Sequence, residues 1–326
     1  MTDGILRSGK SEPTGPDESG CPGARDSGAK MSGVRGWAVA IAVSIASVLI
    51  FPVASASATT YRSIQVAGAV RCNNGAQNVV GVWVNSSLGG SKWATWIPSS
   101  YTGAANPYAV YTAELKVPWS SSTKSTNIQI RVGCGGNAST WGSTNRTPAK
   151  PVSGSTLLSA TCANPAKLTH ADAVTCATAS NGADAGAISS ALWALAQIKA
   201  TKSGSVTPNG YWAGYCAAFV ARAWGRTAAG YLTATSMYNG FKQLDRKPST
   251  SSAVPVGALA FYGLAKSIDP DLEGHVNIQV GLGVFVSTKG FVGDKSPIVA
   301  YRVSQYANST HKYLGWMIPP SSWRAR

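Results

Sequence analysis

Residues 211–225, YWAGYCAAFVARAWG, contain the most informative periodicity in this 326-residue chain. Their apolar side chains recur at the spacing of one helix face: Cys216, Phe219, Val220, Ala223 and Trp224. Gly225 then predicts the end of the helix, and Gly214 precedes it, so Cys216 is expected in the first helical turn. The positive end of the helix dipole favours a thiolate there. A cysteine on an apolar helix face is, however, more often a buried small hydrophobic residue, and its position alone favours that interpretation.

Two later segments predict strands. Residues 254–262, VPVGALAFY, indicate a Pro/Gly turn that leads into a buried strand. Residues 273–288, EGHVNIQVGLGVFVST, indicate a hairpin of two apolar strands, and His275 begins the first of them. A cysteine at a helix start and a histidine at a strand start, close in space, form the nucleophile and base of cysteine hydrolases.

The loop of this hairpin decides the direction of Ser287. A three-residue loop over 281–283 pairs Val280 with Val284 and places Ser287 on the face of His275. A two-residue turn shifts the register by one residue and sends Ser287 to the other face. We predict the three-residue loop, because it puts a hydroxyl beside the imidazole and keeps the valines together on the opposite face.

Three blocks of sequence resemble the NlpC-type and CHAP-type cell-wall cysteine peptidases and amidases. They are GYCAAFV at 214–220, PVGALAFY at 255–262 and GHVNIQVGLG at 274–283. The ending YLGW at 313–316, followed by two prolines, also looks like secreted bacterial members of that group. The resemblance covers residues 185–326, and the β-rich region upstream looks more weakly like an accessory module of such proteins.

This resemblance implies an α+β fold, in which a papain-like domain packs a helix on an antiparallel sheet behind a small all-β sandwich. By the same resemblance Cys216 is the nucleophile, His275 is the general base and Ser287 occupies the third position that orients the histidine. Two departures weaken it: Ser287 carries no charge, and Ala258 stands where relatives often have Asp. Asn277 and Gln279 share the strand face of His275 and are candidates to assist it.

The resemblance implies a secreted peptidoglycan hydrolase that cleaves peptide or amide bonds. The alternative is a catalytically weak or inactive protein that binds the cell wall or a glycan. The Cys/His pair favours an enzyme, whereas the uncharged third position favours loss of activity.

Four regions are expected along the chain. Residues 1–58 hold an apolar run and the small-residue sequence Ala-Ser-Ala at 56–58, which predict a secretory signal peptide cut after Ala58. Cleavage after Ala56 and an uncleaved anchor are the alternatives, and Met31 is an adequate true start. Residues 59–145 predict the β-sandwich, 146–184 a Ser/Thr/Ala/Pro-rich linker stapled by a disulfide, and 185–326 the hydrolase domain with a helix over 185–199.

Aromatic side chains cluster around the loops of the predicted sandwich: Trp93, Trp96, Tyr101, Tyr108, Trp119 and Trp141. Aromatic rings on a β-scaffold can stack on sugar rings. Packing into the small core is the interpretation that we favour for most of them.

The amino-acid composition restricts the class of protein and the kinds of partner that we expect. The apolar content of 44% excludes global disorder, and a charged content of 13% excludes a coiled coil. A net charge of +15 on an exported protein favours peptidoglycan or another polyanionic wall polymer over nucleic acid. We expect a monomer without a cofactor, and contact with a membrane only if the signal segment is not cleaved.

Five cysteines remain after the predicted cleavage removes Cys21. The most economical pairings are Cys72–Cys134 and Cys162–Cys176, which leave Cys216 unpaired, although spacing alone does not determine connectivity. Neither pair has CxxC spacing and the histidines lie far from them in sequence, so no zinc site is expected.

Overall fold

Three predicted strands, over 79–84, 109–117 and 127–132, lie in two facing sheets of the computed structural model. The structure describes residues 59–73, 77–99, 107–163, 174–180, 182–241, 254–264, 274–290, 292, 294–302 and 311–323. The predicted signal peptide within 1–58, with Cys21, lies outside the described residues, and so does Tyr101.

The first sheet has the strand order β11-β10-β1-β5-β4, and β9 also pairs with β1. Its strands are β1 (Thr60–Cys72), β4 (Thr95–Pro98), β5 (Tyr108–Trp119), β9 (Thr156–Leu157), β10 (Ala160–Cys162) and β11 (Cys176–Thr178). The long antiparallel pair of β1 and β5 forms its centre, while β9 and β10 join β1 in parallel.

The second sheet has the order β3-β2-β6-β7, and β8 also pairs with β6. Its strands are β2 (Val79–Ser86), β3 (Ser91–Trp93), β6 (Thr126–Gly136), β7 (Trp141–Arg146) and β8 (Lys150–Val152). Alternate residues of β1, β2, β5 and β6 point between the two sheets and form a buried core, which includes Ile64, Val84, Leu115 and Ile130.

Both expected disulfides are present. Cys72 of β1 bonds to Cys134 of β6 and so joins the two sheets. Cys162 bonds to Cys176 across the antiparallel pair of β10 and β11, where the two residues lie opposite each other. Cys216 lies outside both disulfides, as expected.

The third sheet has the order β15-β14-β13-β12-β16 and is antiparallel throughout. Its strands are β12 (Leu259–Leu264), β13 (His275–Gly281), β14 (Val284–Ser287), β15 (Val299–Arg302) and β16 (His311–Met317). Three α-helices occur in the described chain: α1 (Ala185–Ala196), α2 (Cys216–Ala223) and α3 (Ala234–Gly240). One face of the sheet packs on α1 and α2 through apolar side chains such as Val276 and Val286.

The fold-class prediction is wrong. Strands make up 46% of the described residues and helices 15%, arranged as three sheets with three short α-helices, so the protein is mostly β and not an α+β papain-like helix-on-sheet fold. The prediction relied on the helical periodicities at 185–199 and 216–224. The second of these corresponds to α2, which is only 8 residues long, so helices contribute little to the fold. The strand content of the C-terminal half and of residues 150–178 outweighs both helices.

The segment 146–184, expected to be a linker, contributes strands β8 to β11 to the two sandwich sheets. Helix α1 then packs on β1 and β9 as well as on β13, and residues 57–326 form one compact unit. Each of these added strands is only two or three residues long, so its sequence is too short to show a strand period.

No helix in the ranges that the structure describes is long and apolar enough to cross a membrane.

Candidate active site

Cys216 is the first residue of α2, as the periodicity predicts. The chain enters the helix through Gly214, whose φ is +80°, and Tyr215 is the N-cap. A Cβ atom on Gly214 would lie 2.6 Å from the backbone nitrogen of Val292, so only glycine permits this approach. Cys216 is 8% exposed and belongs to the buried cluster that contains Phe219 and Val220.

Helix α2 is held firmly at both ends. Phe219 packs against the rings of Trp212 and Trp193, with centroids 5.3 and 5.5 Å away. At the C-terminal end the indole nitrogen of Trp224 donates a hydrogen bond of 3.1 Å to the carbonyl of Gly257, just before β12. The helix packs on β13 and β14, and so its first residue is presented from a fixed element.

His275 is the first residue of β13, also as predicted, and only 7% of it is exposed. Its ring centroid lies 6.3 Å from that of Tyr262 and 6.2 Å from that of Tyr301. Burial, and to a lesser extent the nearby charge of His311, lower the pKa of His275 to about 3. The imidazole is therefore neutral at physiological pH and able to accept a proton.

Asn277 is fully buried and lies two residues after His275 on the same face of β13. Burial and the nearby Tyr313 raise the pKa of Tyr262. Tyr262 pairs with His275 across β12 and β13, and its ring lies 5.5 Å from that of Tyr313. Asn277 shares the strand face of His275, as expected, and its assisting role stays a prediction.

Ser287 is fully buried on β14, next to β13. Its hydroxyl donates a hydrogen bond of 2.7 Å to the carbonyl of Val276. Because a serine hydroxyl has a single proton, Ser287 is left with only its acceptor capacity for the imidazole. Such an interaction adds no charge to the site.

The predicted three-residue hairpin loop is wrong, because Gly281 pairs with Val284 across a two-residue turn. Leu282 and Gly283 both have positive φ, 51° and 68°, as a type I′ turn requires. A bulge at Val280 then returns the register by one residue. Ile278 pairs with Val286, so the next pair sets Ser287 opposite Asn277, on the face of His275.

Sequence reasoning missed the aromatic side chains around His275. Tyr301 and Tyr313 come from β15 and β16, and His311, given no role from the sequence, begins β16. Sequence periodicity carries no signal for these neighbours, because they reach His275 only through the pairing order of the third sheet. Tyr262, which ends the predicted strand over 254–262, lay within a segment that the sequence analysis had singled out.

The structure places the predicted residues on adjoining elements but on two faces of the third sheet. Cys216 belongs to the buried cluster of Val276 and Val286, whereas His275, next to Val276 on the strand, shares its face with Tyr262. The helix that begins with Cys216 packs on the strand that begins with His275, and Ser287 lies on the neighbouring strand. Comparison of the chain with protein-family models, with curated proteins and with solved structures finds no match, so no family is assigned.

Proposed function

We propose that this protein is a cysteine hydrolase that cleaves peptide or amide bonds of peptidoglycan, with Cys216 as nucleophile and His275 as general base. The observation that carries the proposal is the packing of α2 on β13, since each element begins with one of the two residues. The proposal rests on these residues and on the motifs around them, not on a shared fold.

The proposed chemistry requires the Cys216 thiol to come beside the neutral imidazole of His275. His275 takes the proton of the Cys216 thiol as the sulfur attacks the carbonyl carbon, and the carbonyl oxygen becomes an oxyanion. The backbone N–H of Cys216, at the start of α2, is a donor for that oxyanion. The imidazolium then gives its proton to the leaving amine, which leaves a thioester on Cys216. Water, activated by the same imidazole, hydrolyses the thioester and restores the thiol.

The low pKa of His275 is compatible with this role. The nearby thiolate would raise it, because an opposite charge favours the imidazolium. The imidazole therefore rests neutral, and in the proposed mechanism it takes the thiol proton during attack.

Location and substrate class are part of the same proposal. Two disulfides are compatible with an extracellular protein. A net charge of +15 attracts a polyanionic wall. We therefore place the protein outside the cell, associated with the cell wall.

The second candidate function is binding of the wall without turnover. The observation in its favour is that Cys216 and His275 are 8% and 7% exposed, so a substrate carbonyl has little access to either side chain in this conformation.

The test is incubation of the full chain with purified peptidoglycan and identification of new amine ends by mass spectrometry. We expect turnover with the wild-type protein and none with Cys216→Ala or His275→Ala. Cys216→Ser is the matched control, because it keeps the size of the side chain and removes the thiol. Thermal unfolding of each variant establishes that it is folded.

An experimental structure supplies the geometric test. The Cys216 sulfur and a ring nitrogen of His275 should lie within about 4–5 Å, allowing for the long hydrogen bonds of unliganded sites. A larger separation across the domain, or unchanged turnover in folded Cys216→Ala, would remove the enzyme proposal and leave the binding function.

A further inference from the structure

A second concave site lies in the sandwich. A cleft of about 500 Å³ opens on the first sheet beside the end of α1, with Ala196 of that helix at its edge. This volume is within the range of ligand sites, roughly 300–1,000 Å³. Its lining comes from β1, β5 and β4 of the first sheet and from β3 of the second sheet.

Helix α1 explains why the cleft exists. Along β1 and β5, Ala67 and Val110 point to one face of the sheet and pack into the cluster that contains α1. Gln65 and Thr112 follow on the same face at the period of a strand, and α1 ends beside them. The face that α1 covers is apolar, and the part that it leaves open is polar.

The polar lining has almost no net charge. Thr95, Thr112 and Gln65 supply neutral hydroxyl and amide groups, while Lys92 and Glu114 carry opposite charges and are exposed. In a chain of net charge +15, this balance makes the cleft a poor site for a polyanion. It fits a neutral ligand with many hydroxyl groups, each of which both donates and accepts hydrogen bonds.

One large aromatic side chain borders these polar groups. Trp93 is 54% exposed, whereas most aromatic rings named from the sequence pack into the protein at least in part. The Trp93 ring contacts the rings of Trp83 and Trp141 edge to face, with centroids 5.2 and 5.3 Å away. Two neighbouring rings therefore hold an exposed indole in place, as stacking on the C–H face of a pyranose requires.

The base of the cleft is also fixed before any ligand arrives. The side-chain nitrogen of Gln65 donates to the hydroxyl of Thr112 at 3.2 Å and to the carbonyl of Leu192 at 2.8 Å. The backbone nitrogen of Gln65 donates to the hydroxyl of Ser155 at 3.1 Å. A base ordered in this way lowers the entropy that binding costs.

We infer that this cleft is a binding site for a neutral glycan chain, with Trp93 as the stacking platform and Glu114, Lys92 and the two threonines as partners of sugar hydroxyls. The inference does not depend on the proposed hydrolase activity, since it concerns different residues in a different sheet. It assigns a ligand class to the sandwich.

The test is calorimetric titration of the full chain with the tetrasaccharides of N-acetylglucosamine and of β-1,4-linked glucose. We expect binding of at least one of them, and Trp93→Ala should weaken it at least tenfold. Leu232→Ala, which removes a fully exposed apolar side chain from another part of the chain, is the matched control and should leave affinity unchanged.

Two further variants at exposed positions keep the test valid if Trp93→Ala does not fold. Lys92→Ala and Glu114→Ala alter exposed side chains, and each should weaken binding several-fold without a change in melting temperature. The inference is overturned if neither tetrasaccharide binds, or if binding survives both Glu114→Ala and a folded Trp93→Ala. The tetrasaccharides carry no amide-linked peptide that the proposed hydrolase could cleave. Their affinities are therefore independent of the proposed hydrolase activity.

Discussion

Acid should destabilise this protein through His275, and the effect can be isolated with His275→Asn. The pKa of His275 is about 3 in the folded chain and 6.5 in the unfolded chain. Between these values the unfolded state binds one proton more, so the free energy of unfolding decreases as the pH falls through this window. The variant has no titrating group at position 275 and lacks this contribution.

The magnitude follows from the two pKa values. Each pH unit within the window changes the free energy of unfolding by about 1.4 kcal/mol, and roughly 2.5 units separate the unfolded pKa from pH 4. We expect wild-type protein to lose about 3 kcal/mol more than the variant between pH 7 and pH 4. The free energy of unfolding of a typical domain is about 5–15 kcal/mol. The expected loss is therefore a large part of the total, especially for a domain at the lower end of this range.

The assay is urea unfolding of both proteins at pH 7 and pH 4, with disulfides intact, followed by the fluorescence of buried tryptophans such as Trp212. The other titrating groups are present in both proteins, and His311, whose pKa burial lowers, is coupled to His275, so the measured difference includes that coupling. Tyr262 and Tyr313, whose pKa values burial raises, do not titrate in this range. Equal losses of stability in the two proteins would refute the reasoning, because they would mean that His275 is solvated in the folded state.

Three further predictions concern stability and turnover. Ser287→Ala removes a buried hydrogen bond of 2.7 Å, so we expect the free energy of unfolding in urea to fall by about 1 kcal/mol. The turnover rate should fall less than about tenfold. Complete loss of turnover would show that the third catalytic position is essential. Gly133→Ala places a Cβ atom 2.3 Å from the Trp141 ring and should lower the free energy of unfolding by about 1–3 kcal/mol. Gly154→Ala is the control, because its Cβ atom would lie 3.6 Å from the nearest atom, and it should be close to neutral. Similar melting temperatures for the two variants would contradict the packing around Gly133. Replacing both cysteines of the Cys72–Cys134 disulfide, whose partners are 62 residues apart, should cost about 4 kcal/mol by the chain-entropy argument, and a thermal midpoint within a degree of wild type would argue against it.

Local periodicity determined much of the secondary structure. The predicted strands over 79–84, 109–117 and 127–132 lie within β2, β5 and β6. The helix that begins at Cys216 and the strand that begins at His275 are present at those residues. These elements are visible in the sequence because each buries one face, and burial of one face leaves a period of 3.6 or 2 residues.

The tertiary structure decided the fold class and the surroundings of the candidate site. Strands β8 to β11 are two or three residues long and form only because longer strands, above all β1 and β6, supply partners distant in sequence. The bulge at Val280, which returns Ser287 to the face of His275, depends on packing of valines against α1 and α2. Tyr301 and Tyr313 approach the imidazole through strand order alone.

The same division applies to the cleft of the sandwich. Trp93 was visible in the sequence as one of several aromatic residues with two interpretations. The rings that hold it come from β2 and β7, and the polar groups beside it come from β1, β3, β4 and β5. These strands are distant in sequence and belong to two sheets. Pairing between distant strands is set by the packing of whole faces, and this long-range information is not contained in the local period of any one segment.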